Sequence, residues 1–180
     1  MLFASPTIVA LIVLPAGQQF SELYILGSNH TLDNIPFNVV SGVRYLVYLG
    51  VGNEFSHSQY YKLYVKVGGQ NDSMPNLAFG KPSTLLPLYE YNLFLRGGEK
   101  WQAPLTFEVQ NIKFINGVSS IDKMIFNEVD YSIDKSSSWN TNKTGFYYSL
   151  IFELWIYNST LGVSQYHNRF VSLAINMTMA

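Results

Sequence analysis

From residue 21 onward, apolar and polar residues alternate with a period of two, the repeat of an extended strand with one buried face. The clearest case is "YYKLYVKVGG", where Tyr61, Leu63, Val65 and Val67 fall on one face and Lys62 and Lys66 on the other. "VRYLVYLGVGN" (43–53) is apolar on both alternating sets, as expected of a strand covered on both sides. "EFSHSQ" between these two has the length of a hairpin loop. Earlier, "SELYILG" (21–27) is a short apolar strand ending in the turn-forming "GSNHT". Later, "LYEYNLFLRGGEKWQAPLTFEVQNIKFING" reads as a strand, a turn at "RGGEKW" and a long strand with Leu105, Phe107 and Val109 on one face. The last two strands carry the strongest pattern. "GFYYSLIFELWIY" sets Phe146, Tyr148, Leu150, Phe152, Leu154 and Ile156 on one side, and "YHNRFVSLAINM" returns antiparallel after "NSTLGVSQ".

Two stretches break the alternation. "QNDSMPNLAFGKPST" (70–84) is a linking segment rich in Gly, Pro and Asn. Residues 116–144 hold short strand-like pieces divided by polar turns, which predicts an inserted hairpin near residues 113–144 with a loose tip. No stretch after residue 20 shows a helical repeat. Seven or more strands without crossover helices predict an all-β domain over residues 16–180. The expected form is an antiparallel immunoglobulin-like β-sandwich, with a closed barrel as the alternative.

Residues 1–15 stand apart. The first 21 residues carry no charge, and the first Lys or Arg is Arg44. As a helix, residues 3–14 would rise roughly 18 Å, short of the ~30 Å hydrocarbon core of a bilayer. A secretory signal would open on a basic region, which is missing here. The segment fits the outer end of a membrane span. The absence of Lys and Arg over 43 residues agrees with emergence on the non-cytoplasmic side. Two other readings stay open: an edge or core strand of the domain itself, and a strand donated to a neighbouring subunit.

Composition sharpens this picture. Aromatics make up 16 % of the chain and charged residues only 13 %, about half the usual ~25 %. That balance favours strands over helices. Eleven basic and 12 acidic residues nearly cancel without clustering, so nucleic acid is not an expected partner. Cysteine is absent, which excludes disulfides and thiolate metal sites. The 180 residues suffice for a core without either.

Candidate chemistry is sparse. Of 15 Asn, five head N-x-S/T sequons and are candidate glycosylation sites: Asn29, Asn71, Asn142, Asn158 and Asn176. His30, His57 and His167 lie far apart with no ligand spacing, so no metal is expected. The carboxylates, Glu153 among them, are scattered; Glu128 and Asp130 are the pair near enough to share a cation. There is no nucleophile elbow, no Ser/His/Asp order and no glycine-rich phosphate loop. Neither a catalytic residue nor a cofactor is expected. On the penultimate strand, Tyr147, Ile151, Trp155 and Tyr157 face away from the core set. Tyr147, Trp155 and Tyr157 form a candidate aromatic contact surface for sugars or a partner, unless the 113–144 insertion or another cover lies over them.

Several phrases resemble a known family. In "FSELYILG", Phe20, Glu22, Tyr24, Ile25, Leu26 and Gly27 match its first phrase, and Pro36, Asn38 and Gly42 its second. Val51, Gly52, Asn53 and Glu54 approximate the third; Gly98, Glu99, Trp101, Pro104 and Phe107 match the fourth. The chain thus resembles, over roughly residues 15–109 and the last strands, the C-terminal extracytoplasmic part of an uncharacterised and mainly archaeal membrane-protein family, the domain of unknown function 1616. The resemblance implies an outward-facing β domain preceded by membrane helices. Apart from the opening run, those helices are missing from this sequence, and the 113–144 stretch departs from the pattern. The matched phrases are turns and strand ends, so the resemblance implies a fold and no catalytic residues. The expected function is a non-catalytic extracytoplasmic domain of a membrane-associated protein at the cell surface. Its expected partners are the membrane and other surface proteins or glycans. A subunit of a surface filament or layer built by strand donation is the alternative.

Overall fold

A computed structural model of the chain describes residues 19–142 and 144–178. The readings that fall on residues 1–15 therefore lie outside the described residues. Ten strands follow in order: β1 (Ser21–Leu26), β2 (Asn38–Val39), β3 (Arg44–Asn53), β4 (Gln59–Gly68), β5 (Tyr89–Leu95), β6 (Lys100–Ile115), β7 (Val118–Phe126), β8 (Val129–Ser138), β9 (Phe146–Asn158) and β10 (Val163–Met177). They form two five-stranded sheets, β1-β3-β6-β7-β8 and β2-β10-β9-β4-β5. All pairings are antiparallel except the short β2–β10 pair, which is parallel. Both sheets are open and face each other over one core, so the architecture is an immunoglobulin-like β-sandwich and not a closed barrel.

The period-two faces explain the packing. Tyr61, Leu63 and Val65 on β4, Leu150, Phe152 and Leu154 on β9, and Leu105, Phe107 and Val109 on β6 are at most 1 % exposed. Each alternating set meets its counterpart on the other sheet. At about 25 cal/mol per Å² removed from water, this interdigitated layer is the main stabilising term.

Residues 113–144 do contain a hairpin, but it is no appendage. β7 and β8 continue the first sheet beyond β6, and Ile121, Met124 and Phe126 are fully buried in the common core. Both connections are two-residue turns. Asn116 and Gly117 have φ of 51° and 73°, and Asn127 and Glu128 have φ of 46° and 70°. Positive φ at both central positions is the turn geometry whose twist matches that of paired strands. The polar composition of β8 had masked the strand: it lies at the sheet edge, where alternate residues remain exposed.

β10 carries one irregularity with consequences for the site. Its register with β9 slips between Tyr166 and Arg169, so that His167 and Asn168 bulge out. Asn168 takes the left-handed conformation, φ 51°, which an Asn tolerates better than most residues.

Candidate functional site

The outer face of the second sheet carries the feature that the alternation conceals. Lys66 and Glu153 point away from the core, yet they are 3 % and 0 % exposed. The cover is the linking segment 69–88, which runs across the sheet as a strap. It is fastened along its length. At its start, Asp72 accepts from the Gly69 amide and from Lys135 Nζ of β8, each at 2.8 Å, and Gln70 Oε1 accepts from the Ser138 amide. In the middle, Asn76 caps a single 3-10 turn, Leu77–Phe79, whose Leu77 carbonyl accepts from Asn168 in the β10 bulge at 3.1 Å. Further on, the Ser83 amide donates to Glu153 Oε1 at 2.8 Å.

Under the strap, Lys66 Nζ donates to Glu153 Oε2 at 2.7 Å and to the Ser83 carbonyl and hydroxyl at 3.2 and 3.3 Å. All three ammonium donors are used. Glu153 also accepts from Trp155 Nε1 at 3.3 Å. A buried ion pair persists only when its remaining donors and acceptors are satisfied in this way. Among the described residues, the nearby Tyr166 hydroxyl is buried without a partner. Burial, and then the Glu153 charge, push its pKa up to about 12.

The strap also divides the expected aromatic surface. Ile151 and Glu153 are fully buried between Tyr147 and Trp155. Tyr147 packs near Phe37, with ring centres 6.0 Å apart. Trp155 is held between Tyr64 at 5.5 Å and Tyr166 at 5.9 Å. Tyr157 meets Tyr60 edge-on at 6.3 Å and is 42 % exposed. Tyr147 is therefore separated from Trp155 by covered residues, whereas Trp155 and Tyr157 are successive outward positions of β9. The cover comes from 69–88, not from the 113–144 hairpin. Two clefts result. One of about 290 Å³ lies between Trp155, Tyr64 and the strap residues Pro82, Leu85 and Pro87. The other, of about 430 Å³, is bordered by Tyr157, Tyr60, Phe94 and several polar side chains, His57 among them.

A second polar cluster joins the sheets. Ser21 Oγ lies 2.9 Å from Tyr61 Oη and 2.9 Å from His167 Nε2, and Tyr61 donates to Asn53 Oδ1 at 3.1 Å. Sequence order gave no sign of a Ser–His contact, because the β10 bulge brings His167 to β1. Its polarity can be deduced. Asn53 Nδ2 donates to the carbonyls of His57, Leu95 and Arg96, so Oδ1 is the acceptor and the Tyr61 proton is committed to it. Ser21 must then donate to Tyr61, and His167 Nε2–H must donate to Ser21. A nucleophilic serine needs the opposite arrangement, with its proton on the histidine. Ser21 is moreover 1 % exposed. The cluster is a structural latch. Burial, aided by the Arg169 charge, holds the His167 pKa below its usual value.

The other candidates are accounted for individually. His30 stacks on Tyr48 with ring centres 3.8 Å apart, and His57 pairs with Gln59. Glu128 and Asp130 do not share a site: Glu128 pairs with Arg44 at 2.9 Å and Asp130 with Lys123 at 2.6 Å. Among the described residues, no group of three or more His, Asp or Glu is placed to hold a metal. Asn29, Asn71 and Asn142 lie on exposed turns. Asn158 is half-buried, donates to Gln165 and caps its own turn by accepting from the Thr160 and Leu161 amides. Asn176 is unlike the other four in its burial. It is 8 % exposed within β10, where it accepts from the Phe146 amide and donates to Asn38.

Fold and site define a β-sandwich domain with a strapped outer face. No protein-family model matches the chain, and no curated protein matches it. Among solved structures, the chain is similar to a β-glucosidase from Listeria innocua in complex with glucose, at 8 % identity and a TM-score of 0.41, over 90 % of this chain and 16 % of that one. The complex of a β-glucosidase from the same organism with gluconolactone gives 8 %, 0.42, 91 % and 17 %. An ASH / PapD-like domain of human CEP192 (PapD-like domain 7) gives 8 % and 0.36 over 100 % of this chain and 99 % of that one. The chain thus spans a small part of the glucosidase, and likenesses of this size carry nothing about activity. Among the described residues, no helix is long and apolar enough to cross a membrane.

Proposed function

We propose that this domain is a non-catalytic module of a membrane-associated protein, held on the extracytoplasmic face and acting through contacts with surface proteins or glycans. The observation that carries the reading is the charge distribution. An apolar run opens the chain and no Lys or Arg precedes Arg44, the asymmetry expected of a segment emerging on the non-cytoplasmic side. The resemblance to the outer domain of the domain of unknown function 1616 family points the same way. Exposed sequons at Asn29, Asn71 and Asn142 are compatible with that compartment. The reversed polarity of the Ser21–His167 contact and the internal commitment of Lys66 and Glu153 favour a binding or structural role over a catalytic one.

The test is fractionation of host cells, with an immunoblot of the membrane fraction before and after deglycosylation. Intact cells are also treated with an external protease. Recovery with membranes, together with cleavage from outside, supports the reading. A protein recovered in the cytosolic fraction and protected from external protease overturns it. Release of assembled filaments by shearing, without detergent, would replace the tether by strand-donated assembly.

A further inference from the structure

We infer that the cleft bordered by Tyr60, Phe94 and Tyr157 is a binding site for a neutral oligosaccharide. The three aromatics come from adjacent strands of the second sheet. Tyr60 is on β4, Phe94 is its register partner on β5, and Tyr157 is on β9. Phe94 is 67 % exposed and Tyr157 42 % exposed. Leaving two large rings in water at the mouth of one cavity is costly at roughly 25 cal/mol per Å², and contiguous exposed apolar surface marks an interaction site. The hydrophobic alternation does not explain Phe94: its neighbours Leu93 and Leu95 already fill the core side of β5.

The polar part of the lining selects the ligand class. Gln59, Asn158 and Gln165 border the same cleft, and no Asp, Glu, Lys or Arg does. Gln165 Oε1 accepts from Asn158, and Gln59 Nε2 donates to His57. Among the described residues, this leaves Gln165 Nε2 as a donor and Gln59 Oε1 as an acceptor without protein partners. Tyr60 is fixed by donating its hydroxyl to Asn92 at 2.7 Å, which holds the ring edge-on to Tyr157. A pyranose presents one face of C–H groups and a rim of hydroxyls that both donate and accept. The C–H face suits the electron-rich face of an aromatic ring, and uncharged amides pair with the hydroxyls without the desolvation cost of an ion. A basic peptide would find no carboxylate in this lining, and an anionic sugar no Lys or Arg. The volume of about 430 Å³ falls within the range of small-ligand sites, roughly 300–1,000 Å³. The neighbouring cleft at Trp155 is smaller and has Lys66 in its lining, so it lacks this neutral character.

This inference rests on the domain being a binding module and is independent of its location. The experiment uses the full chain made in a host without N-glycosylation, so that no sugar on Asn158 blocks the cleft. Cellotetraose, laminaritetraose, a mannotetraose and the acidic tetragalacturonate are titrated separately, with tyrosine fluorescence and calorimetry as readouts. At least one neutral tetrasaccharide is expected to bind, in the range of about 0.1–1 mM. Phe94→Ala and Tyr157→Ala should each weaken binding about tenfold. Phe79→Ala, on the strap and 75 % exposed, should leave it unchanged. Because Phe94 and Tyr157 reach solvent, their variants should keep the parent melting temperature within a few degrees. No response to any neutral tetrasaccharide at about 10 mM, binding that survives both substitutions, or equal binding of tetragalacturonate overturns the inference. Failure here leaves the fractionation result untouched, and a cytosolic location would leave saccharide binding untouched.

Discussion

Replacing Lys66 by Met is the most informative single perturbation of the strap. The Met side chain fills similar volume but removes the ammonium that faces a carboxylate of zero exposure. Glu153 keeps the Ser83 amide and the Trp155 indole as donors, while the Ser83 carbonyl and hydroxyl each lose a partner. Breaking a buried pair by deleting one partner costs about 3–5 kcal/mol, because an uncompensated charge remains. Against a total stability of about 5–15 kcal/mol, that is a large fraction. With a urea slope of about 2 kcal/mol per M, the unfolding midpoint should fall by roughly 1.5–2.5 M. The assay is equilibrium urea unfolding of the parent, Lys66→Met, Glu153→Leu and the double variant. The double variant should recover most of the loss, since removing both charges together also removes their desolvation cost. A midpoint drop under about 0.5 M for Lys66→Met would refute the reasoning, because it would mean that water reaches the pair and the strap does not seal it.

Three further outcomes are expected. His167 has a depressed folded pKa from burial and the Arg169 charge, so the unfolded chain binds its proton first. Stability should therefore decline as the pH falls below about 6.5 toward the folded value. His167→Gln should flatten that part of a melting-temperature profile, and an unchanged profile would show that the latch does not titrate. Asn53→Ala leaves the carbonyls of His57, Leu95 and Arg96, the Phe55 amide and the Tyr61 hydroxyl without this partner. It should cost about 3 kcal/mol or more in denaturant unfolding. In a glycosylating secretory host, Asn29→Gln, Asn71→Gln and Asn142→Gln should each remove one glycan by intact-mass measurement. Asn176→Gln should leave the glycan number unchanged and lower the melting temperature, since its carboxamide is tied to Phe146 and Asn38.

The alternation of residues determined the strands and their inward faces. Leu63, Val65, Phe107, Leu150 and Phe152 line the core as their spacing requires, because a side chain's face on a strand depends only on its parity. The same parity falls short at Lys66 and Glu153. It puts both on the outer face, which is correct, but parity says nothing of whether that face is wet. Whether an outer face is wet depends on what crosses it, and here that is a Gly/Pro/Asn-rich segment anchored by Asp72, Asn168 and Ser83. Those anchors link residues distant in the chain, so no local pattern contains them. The 113–144 hairpin was read as an insertion for a related reason. Its polar residues are those of an edge strand, and edge position is a property of sheet order. The aromatic candidates share one face of β9, but the separation of Tyr147 from Trp155 depends on the strap. Phe94 is inconspicuous in the sequence because an outward Phe in a strand looks like any other alternating residue until Tyr60 and Tyr157 stand beside it. Local periodicity fixed which way each side chain points; only the long-range packing of strap, bulge and sheet decided what each one meets there.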